Sequence, residues 1–222
     1  EMIQLGSILA IMWLYRARLV QVVVGLPSKP EARRFALLIL AGFIPAVVAG
    51  LLLADYVETV LHKSVPVIAW TFLIGGIVML VVERFGSRQT VRSIDHASFG
   101  QAFGIGLCQL LALVPGVSRS GATIVGGMLM GLDRPTAAEY SFFLAMPTLT
   151  AAFVHAVLEV KDHITWDRGG EIAIGFAAAF LASILVVKPF LHVVRRSGIA
   201  PFAWYRILAG LAMFAALAGG LL

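Results

Sequence analysis

Charged residues in this 222-residue chain are clustered, and long uncharged runs separate the clusters: 2–15, 35–54, 64–82, 96–118, 120–132, 140–158, 172–187 and 207–222. A helix that spans a bilayer needs about 20 apolar residues, with a range of roughly 17–25. Runs 35–54, 64–82 and 140–158 meet that length. Run 172–187 meets it with the snorkelling stem of Lys188. The last run does so if it starts near Pro201 and carries Arg206 close to its end. Run 2–15 is shorter, and run 120–132 is too short to span alone. Only 13% of residues are charged and 60% are apolar, against about 25% and about 45–50% in soluble domains. The chain therefore reads as all-α and polytopic in a membrane. Its net charge of +5 belongs to loops that set orientation, and no nucleic-acid partner is expected. A single cysteine, Cys108, excludes an intrachain disulfide.

The loop charges predict sidedness. Segments 16–34, 83–95 and 188–206 carry Arg and Lys in excess and are expected in the cytoplasm, with 55–63 and 159–171 outside. One crossing, 140–158, separates an inside segment from an outside one. Residues 96–132 must then enter and leave on the same side. With Pro115, Gly116 and Gly121 in the middle, a re-entrant helix–loop–helix satisfies this parity. Three crossings precede that unit and three follow it, so the second set is inverted relative to the first. The expected organisation is a first repeat over 1–95, with three transmembrane helices and no re-entrant unit of its own. A second repeat over 96–222 has the re-entrant unit at 96–132 followed by three more.

Residues 115–123 read Pro-Gly-Val-Ser-Arg-Ser-Gly-Ala-Thr. An arginine near mid-bilayer costs at least about 2.5–3.5 kcal/mol on insertion scales, so it normally lines a cavity. Arg119 stands among three hydroxyls, Ser118, Ser120 and Thr123. Gly116 and Gly121 allow close backbone approach. A helix starting here would aim its N-terminal N–H groups into the loop. An arginine fork, hydroxyls and a helix N-terminus together suit phosphate. Ser118 is a nucleophile or a donor, although no base lies beside it. Ser120 and Thr123 either donate to phosphate or bond back into their own helix.

The stretch from Gly106 to Ile124 resembles the signature of the undecaprenyl-diphosphate phosphatase family, the bacitracin-resistance membrane phosphatases. So do Ile3–Ala10, Ile44-Pro45-Ala46, Gly126–Gly131, Ala138–Phe142 and Pro201–Arg206. The resemblance implies an enzyme of the bacterial inner membrane. It would remove the terminal phosphate of a C55 isoprenoid diphosphate and so recycle the carrier lipid of cell-wall synthesis. It assigns catalytic roles to Arg119, Ser118 and Thr123, and substrate contacts to Ser120, Gly116 and Gly121. Asp95, Arg134 and Arg206 also fall in family-like places. Their alternatives are capping of the next helix for Asp95 and loop charge for the two arginines.

The expected partners are the polyprenyl diphosphate lipid and the bilayer, with a homodimer as one option. The family's glutamate-rich motif is absent from these residues. A divalent cation, Mg or Ca, would take its ligands mainly from that motif, and this chain alone is expected to be inactive. No His, Asp or Glu here has metal-ligand spacing. A transporter or flippase for an anionic lipid is the competing reading of the same architecture. Gln109 is expected to bond across helices, Glu139 to sit in the first turn of the following helix, and His155 to be packed. Met128, Leu129, Met130 and Leu132 read as packing, or as the lining of a polyprenyl groove.

Overall fold

The computed structural model describes residues 2–56, 65–86, 89–160 and 169–219. These residues form helices α1 (Met2–Leu14), α2 (Arg16–Gly25), α3 (Pro30–Tyr56), α4 (Val65–Phe85), α5 (Phe99–Gln109), α6 (Arg119–Leu129), α7 (Arg134–Val160), α8 (Gly169–Ser197) and α9 (Ala200–Ala218). One-turn 3₁₀ segments sit at Ile94–His96 and Leu110–Leu113. Five helices (α3, α4, α7, α8, α9) are long and apolar enough to cross a membrane, and the pair α1–α2 makes a sixth candidate, bent by 74°. The bend falls at Tyr15, whose backbone leaves the helical region (φ −100°, ψ 15°).

Two expected loops are therefore helical. Residues 16–25 continue the first crossing as α2, and residues 188–197 complete α8. Pro189 lies inside α8 without ending it, and the turn to α9 is confined to Gly198 and Ile199. The periodic charges of these segments occupy exposed helix faces, which run-length counting cannot tell from loop. The expected outer segments 55–63 and 159–171 lie largely outside the described residues.

Helices pair as α1 with α8, α3 with α5, α4 with α9 and α6 with α7, with further contacts of α7 with α1, α3 and α8. Small residues let backbones approach, as is usual when lipid supplies no hydrophobic drive between helices. A Cβ at Gly106 on α5 would collide with the Gly42 carbonyl of α3, and one at Gly76 on α4 would sit 2.7 Å from the Ala203 carbonyl of α9. Tyr140, fully buried on α7, donates to the Leu38 carbonyl at 2.8 Å and ties α7 to α3.

The unit at 96–132 enters and returns. Ser98 caps α5, and Gln101 completes a capping box. The Gln101 amide then donates to the Met130 carbonyl at the end of α6 at 2.7 Å, so both ends of the hairpin lie together. Val91 and Leu132 form an isolated β-bridge beside them. Eleven residues of α6 rise about 16 Å, roughly half of a ~30 Å hydrocarbon core.

At the hairpin's base the basic segments converge. Arg18 pairs with Asp95 at 2.5 Å, Arg34 donates to the Ala97 carbonyl at 2.6 Å, and Arg134 pairs with Glu83 at 2.7 Å. This clustering of 16–34, 83–95 and 134 at one end accords with a shared side. In a Cys108→Ser background, a cysteine at exposed Lys29 should resist a membrane-impermeant thiol reagent in intact cells and react after permeabilisation. Labelling before permeabilisation would reverse the orientation.

Candidate active site

The loop after α5 is set by one glycine and two latches. Gly116 has φ +83°, a left-handed conformation that side chains resist. A Cβ there would also strike the Thr71 hydroxyl. Thr71 on α4 donates to the carbonyl of Pro115 at 2.9 Å. Arg206 on α9 donates through one nitrogen to the carbonyls of Gly116 (2.9 Å) and Thr71 (3.0 Å). Its guanidinium lies over the Phe72 ring, 4.4 Å from the centroid. Two carbonyl bonds, one from α4 and one from α9, thus hold the tip of the hairpin, and the third ties α9 to α4. Arg206 donates to backbone oxygens while bordering both cavities that flank the loop.

Ser118 is the N-cap of α6, and its Oγ accepts from the Gly121 N–H at 3.1 Å. The Ser120 hydroxyl lies 3.3 Å from it and is exposed. An N-cap satisfies one of the N–H groups that a helix start leaves over. Those of Arg119 and Ser120, the first two helical residues, have no acceptor within the helix. The Arg119 side chain follows directly. Its Nη1 is buried and finds no hydrogen-bond partner among the described residues. A buried charged donor without an acceptor is costly, so this nitrogen calls for an anion.

Thr123 departs from its expected role. Its hydroxyl meets the carbonyls of Arg119 (3.0 Å) and Ser120 (3.2 Å) and lies 2.7 Å from the Ser141 hydroxyl of α7. It is 1% exposed. Thr123 therefore fastens α6 to α7 and does not reach a ligand. The back-bonding alternative won because position 123 falls on the face of α6 turned to α7.

Asp95 does not cap α5, since Ser98 does. Asp95 instead accepts from Arg18 at the hairpin's base. Arg134 holds Glu83, which also accepts from the Ile199 N–H at 3.2 Å, and so ties α4, α7 and the α8–α9 turn. Asp133, not Glu139, serves the start of α7 by accepting from the Thr136 N–H at 2.9 Å. Gln109 donates across to Thr148 of α7 at 3.3 Å, as expected. His155 is exposed rather than packed. The loop latch Thr71 and the inter-helix tie Glu83 went unnoticed in the sequence. Thr71 is one hydroxyl in an apolar run and Glu83 sits at a run boundary, so neither has a local signal.

Two cavities flank the loop. The larger, about 450 Å³, lies between α4 and the hairpin. The smaller, about 210 Å³, includes Ser118, Ser120, Tyr205 and Arg206. Among the described residues, neither is lined by Asp, Glu or His. No three His, Cys, Asp or Glu among the described residues come together to hold a metal ion. The divalent cation that the resemblance implies thus has no fitting ligand set in the described residues. Two hydroxyls and the start of α6 border the cavities, whereas Arg119 lines neither of them.

Comparison with known proteins gives the family. The family model described as bacitracin resistance protein BacA matches residues 1–212. The chain is 46% identical to undecaprenyl-diphosphatase 1 of Agrobacterium fabrum, over 94% of this chain and 78% of that protein. It is 45% identical to an undecaprenyl-diphosphatase of Ectopseudomonas mendocina (96% and 77%) and 44% identical to one of Paracoccus denitrificans (99% and 82%). With its membrane helices, its hairpin and the Arg119 loop in place, the chain belongs to the bacitracin resistance protein BacA family.

Proposed function

We propose that this chain acts in hydrolysis of undecaprenyl diphosphate to undecaprenyl phosphate and phosphate, and thereby in bacitracin resistance. The setting is a multi-pass protein of the bacterial inner membrane. The observation that carries the reading is the buried, unpartnered Nη1 of Arg119 beside the start of α6. A bound diphosphate supplies the missing acceptor. Arg119 and the N–H groups of Arg119 and Ser120 take up its charge, and the hydroxyls of Ser118 and Ser120 donate to its oxygens. As water attacks the terminal phosphorus, the bond to the bridging oxygen breaks and charge grows on the departing lipid phosphate. Donors fixed in a water-poor site stabilise such charge without reorganising. Ser118 acts here as cap and donor, because no base stands near it among the described residues.

The inverted repeat belongs to this proposal as well. Exchanging α1 with α7, α3 with α8 and α4 with α9 turns the α1–α8 pair into α7–α3 and leaves α4–α9 and α1–α7 unchanged. All of these pairs occur, which supports the two-repeat reading.

The test is phosphate release from C55 diphosphate in detergent, where no compartments exist and transport cannot register. The purified chain is compared with the chain co-expressed with the part of the Agrobacterium relative that its match leaves uncovered. Turnover is expected from the pair and a background rate from the chain alone, since among the described residues no acid or imidazole lines either cavity. Binding without phosphate release by the pair would overturn the hydrolase reading in favour of a carrier.

A further inference from the structure

The elbow between α1 and α2 carries a concave surface of its own. A groove of about 440 Å³ is lined there by Leu9, Met12 and Trp13 of α1, by Arg16 and Val20 of α2 and by Phe180 of α8. It shares no lining residue with either cavity at the anion loop. The 74° bend turns α2 away from the course of α1, so α2 lies closer to the membrane plane. Its two sides differ. Val22 and Gly25 are buried, and a Cβ at Gly25 would sit 2.9 Å from that of Ala32 on α3. Val20, Val23 and Val24 are exposed. A helix of this kind rests its apolar side in the boundary between headgroups and acyl chains.

The groove has one charged lining residue. Arg16 is exposed, and its guanidinium lies 4.7 Å from the centre of the Trp13 ring. One of its nitrogens donates to the Trp13 carbonyl at 2.9 Å. It forms no ion pair with a described residue, whereas its neighbour Arg18 is committed to Asp95. Arg16 is therefore an arginine that is held in place and not neutralised.

A second groove shows that this charge is not a general property of the bundle surface. Under the exchange of α1 with α7 and α3 with α8, the elbow groove maps onto one of about 520 Å³ between α7 and Phe43 of α3. Leu9, Met12 and Arg16 line the first in the same steps along the chain as Pro147, Thr150 and Val154 line the second. Where the first has Arg16 the second has Val154, and no lysine or arginine lines the second among the described residues. The second stays open although α3 and α7 both carry the hairpin.

We propose that the elbow groove binds an anionic glycerophospholipid of the cytoplasmic leaflet, with its phosphate at Arg16 and an acyl chain along Met12, Leu9 and Phe180. Charge and depth both favour this occupant. The elbow lies at the end of the bundle where Arg18 meets Asp95, the side that the loop charges assign to the cytoplasm, and anionic lipids attract basic residues there. A tryptophan beside the cation suits headgroup level, and Leu9 and Met12 precede it along α1, towards the bilayer centre.

The experiment is native mass spectrometry of the co-expressed pair in detergent, without substrate, so it reads lipid retention whether or not hydrolysis occurs. Phosphatidylglycerol and phosphatidylcholine with the same acyl chains are supplied at equal concentration. One phosphatidylglycerol should be retained several-fold more than phosphatidylcholine. Arg16→Gln should bring it down to the phosphatidylcholine level. Arg196→Gln, which removes the same charge from an exposed position at the end of α8 off the groove, should leave it unchanged. Val20→Trp fills the groove with the charge intact and should lower retention several-fold, and Leu158→Trp in the related groove should not. Arg16 and Val20 are both exposed, and either variant alone decides the matter if the other does not fold. Excess inorganic phosphate should fail to displace the lipid. Equal retention of the two lipids, equal losses for Arg16→Gln and Arg196→Gln, or displacement by inorganic phosphate would each overturn the proposal.

Discussion

Arg119→Ala is expected to lower phosphatase activity by about 10²–10³-fold, the usual cost of removing one donor from a charge-stabilising site, while raising the thermal stability of the protein in detergent. The two effects have opposite signs for one reason. In the absence of an anion the buried Nη1 has no hydrogen-bond partner among the described residues, so removing it relieves a desolvation cost. In the presence of substrate the same nitrogen meets developing charge. Arg119→Lys should also lose most activity, because an ammonium keeps the charge and loses the planar fork. Turnover in the co-expressed pair and the midpoint of unfolding, measured on the same preparations, decide the matter. Near-normal turnover of Arg119→Ala would remove the residue from the mechanism. Lost activity together with lost stability would make it a structural residue.

Arg206→Met should show the other pattern, with stability and activity falling together. Arg206 is 8% exposed, and its guanidinium serves the carbonyls of Thr71 and Gly116. A hydrogen bond from a charged group contributes about 1.5–3 kcal/mol, and the part-buried Gly116 carbonyl at the loop tip loses this partner. The loop tip then loses its tie to α9 and the start of α6 is no longer held in place. Arg206→Lys should recover part of the stability, since an ammonium can still reach one carbonyl. Unfolding in detergent checks the first claim, and kcat with KM the second. A loop that drifts reduces kcat, whereas a lost direct contact with substrate would mainly raise KM. A pure KM effect would return Arg206 to the substrate-binding role that its family-like position suggested.

The crossings were legible because a bilayer imposes a length, and run length between charges is a property of sequence alone. The parity of Lys and Arg forced residues 96–132 into a hairpin before any packing was known. Segments 16–25 and 188–197 were misread because charge does not distinguish a loop from an exposed helix face. In the site, Ser118, Arg119 and Ser120 were found because they are contiguous and improbable in an apolar stretch. Thr123 belongs to the same motif, yet its hydroxyl is turned to Ser141, a partner 18 residues away. Thr71 and Arg206 act on the loop from 44 and 90 residues away. Such long-range ties leave no periodicity or spacing to read.

The hairpin leans on two neighbours that leave the ribosome on either side of it. Helix α3, which receives α5 backbone against backbone at Gly42 and Gly106, leaves the ribosome before it. Helix α7, which receives α6 through Thr123 and Ser141, leaves after it. A nascent chain that ends before α7 therefore has one arm of the hairpin seated and the other, carrying an arginine, without its support. The loop tip is also tied to Arg206 of α9, so the loop gains its last support only once α9 has followed α7.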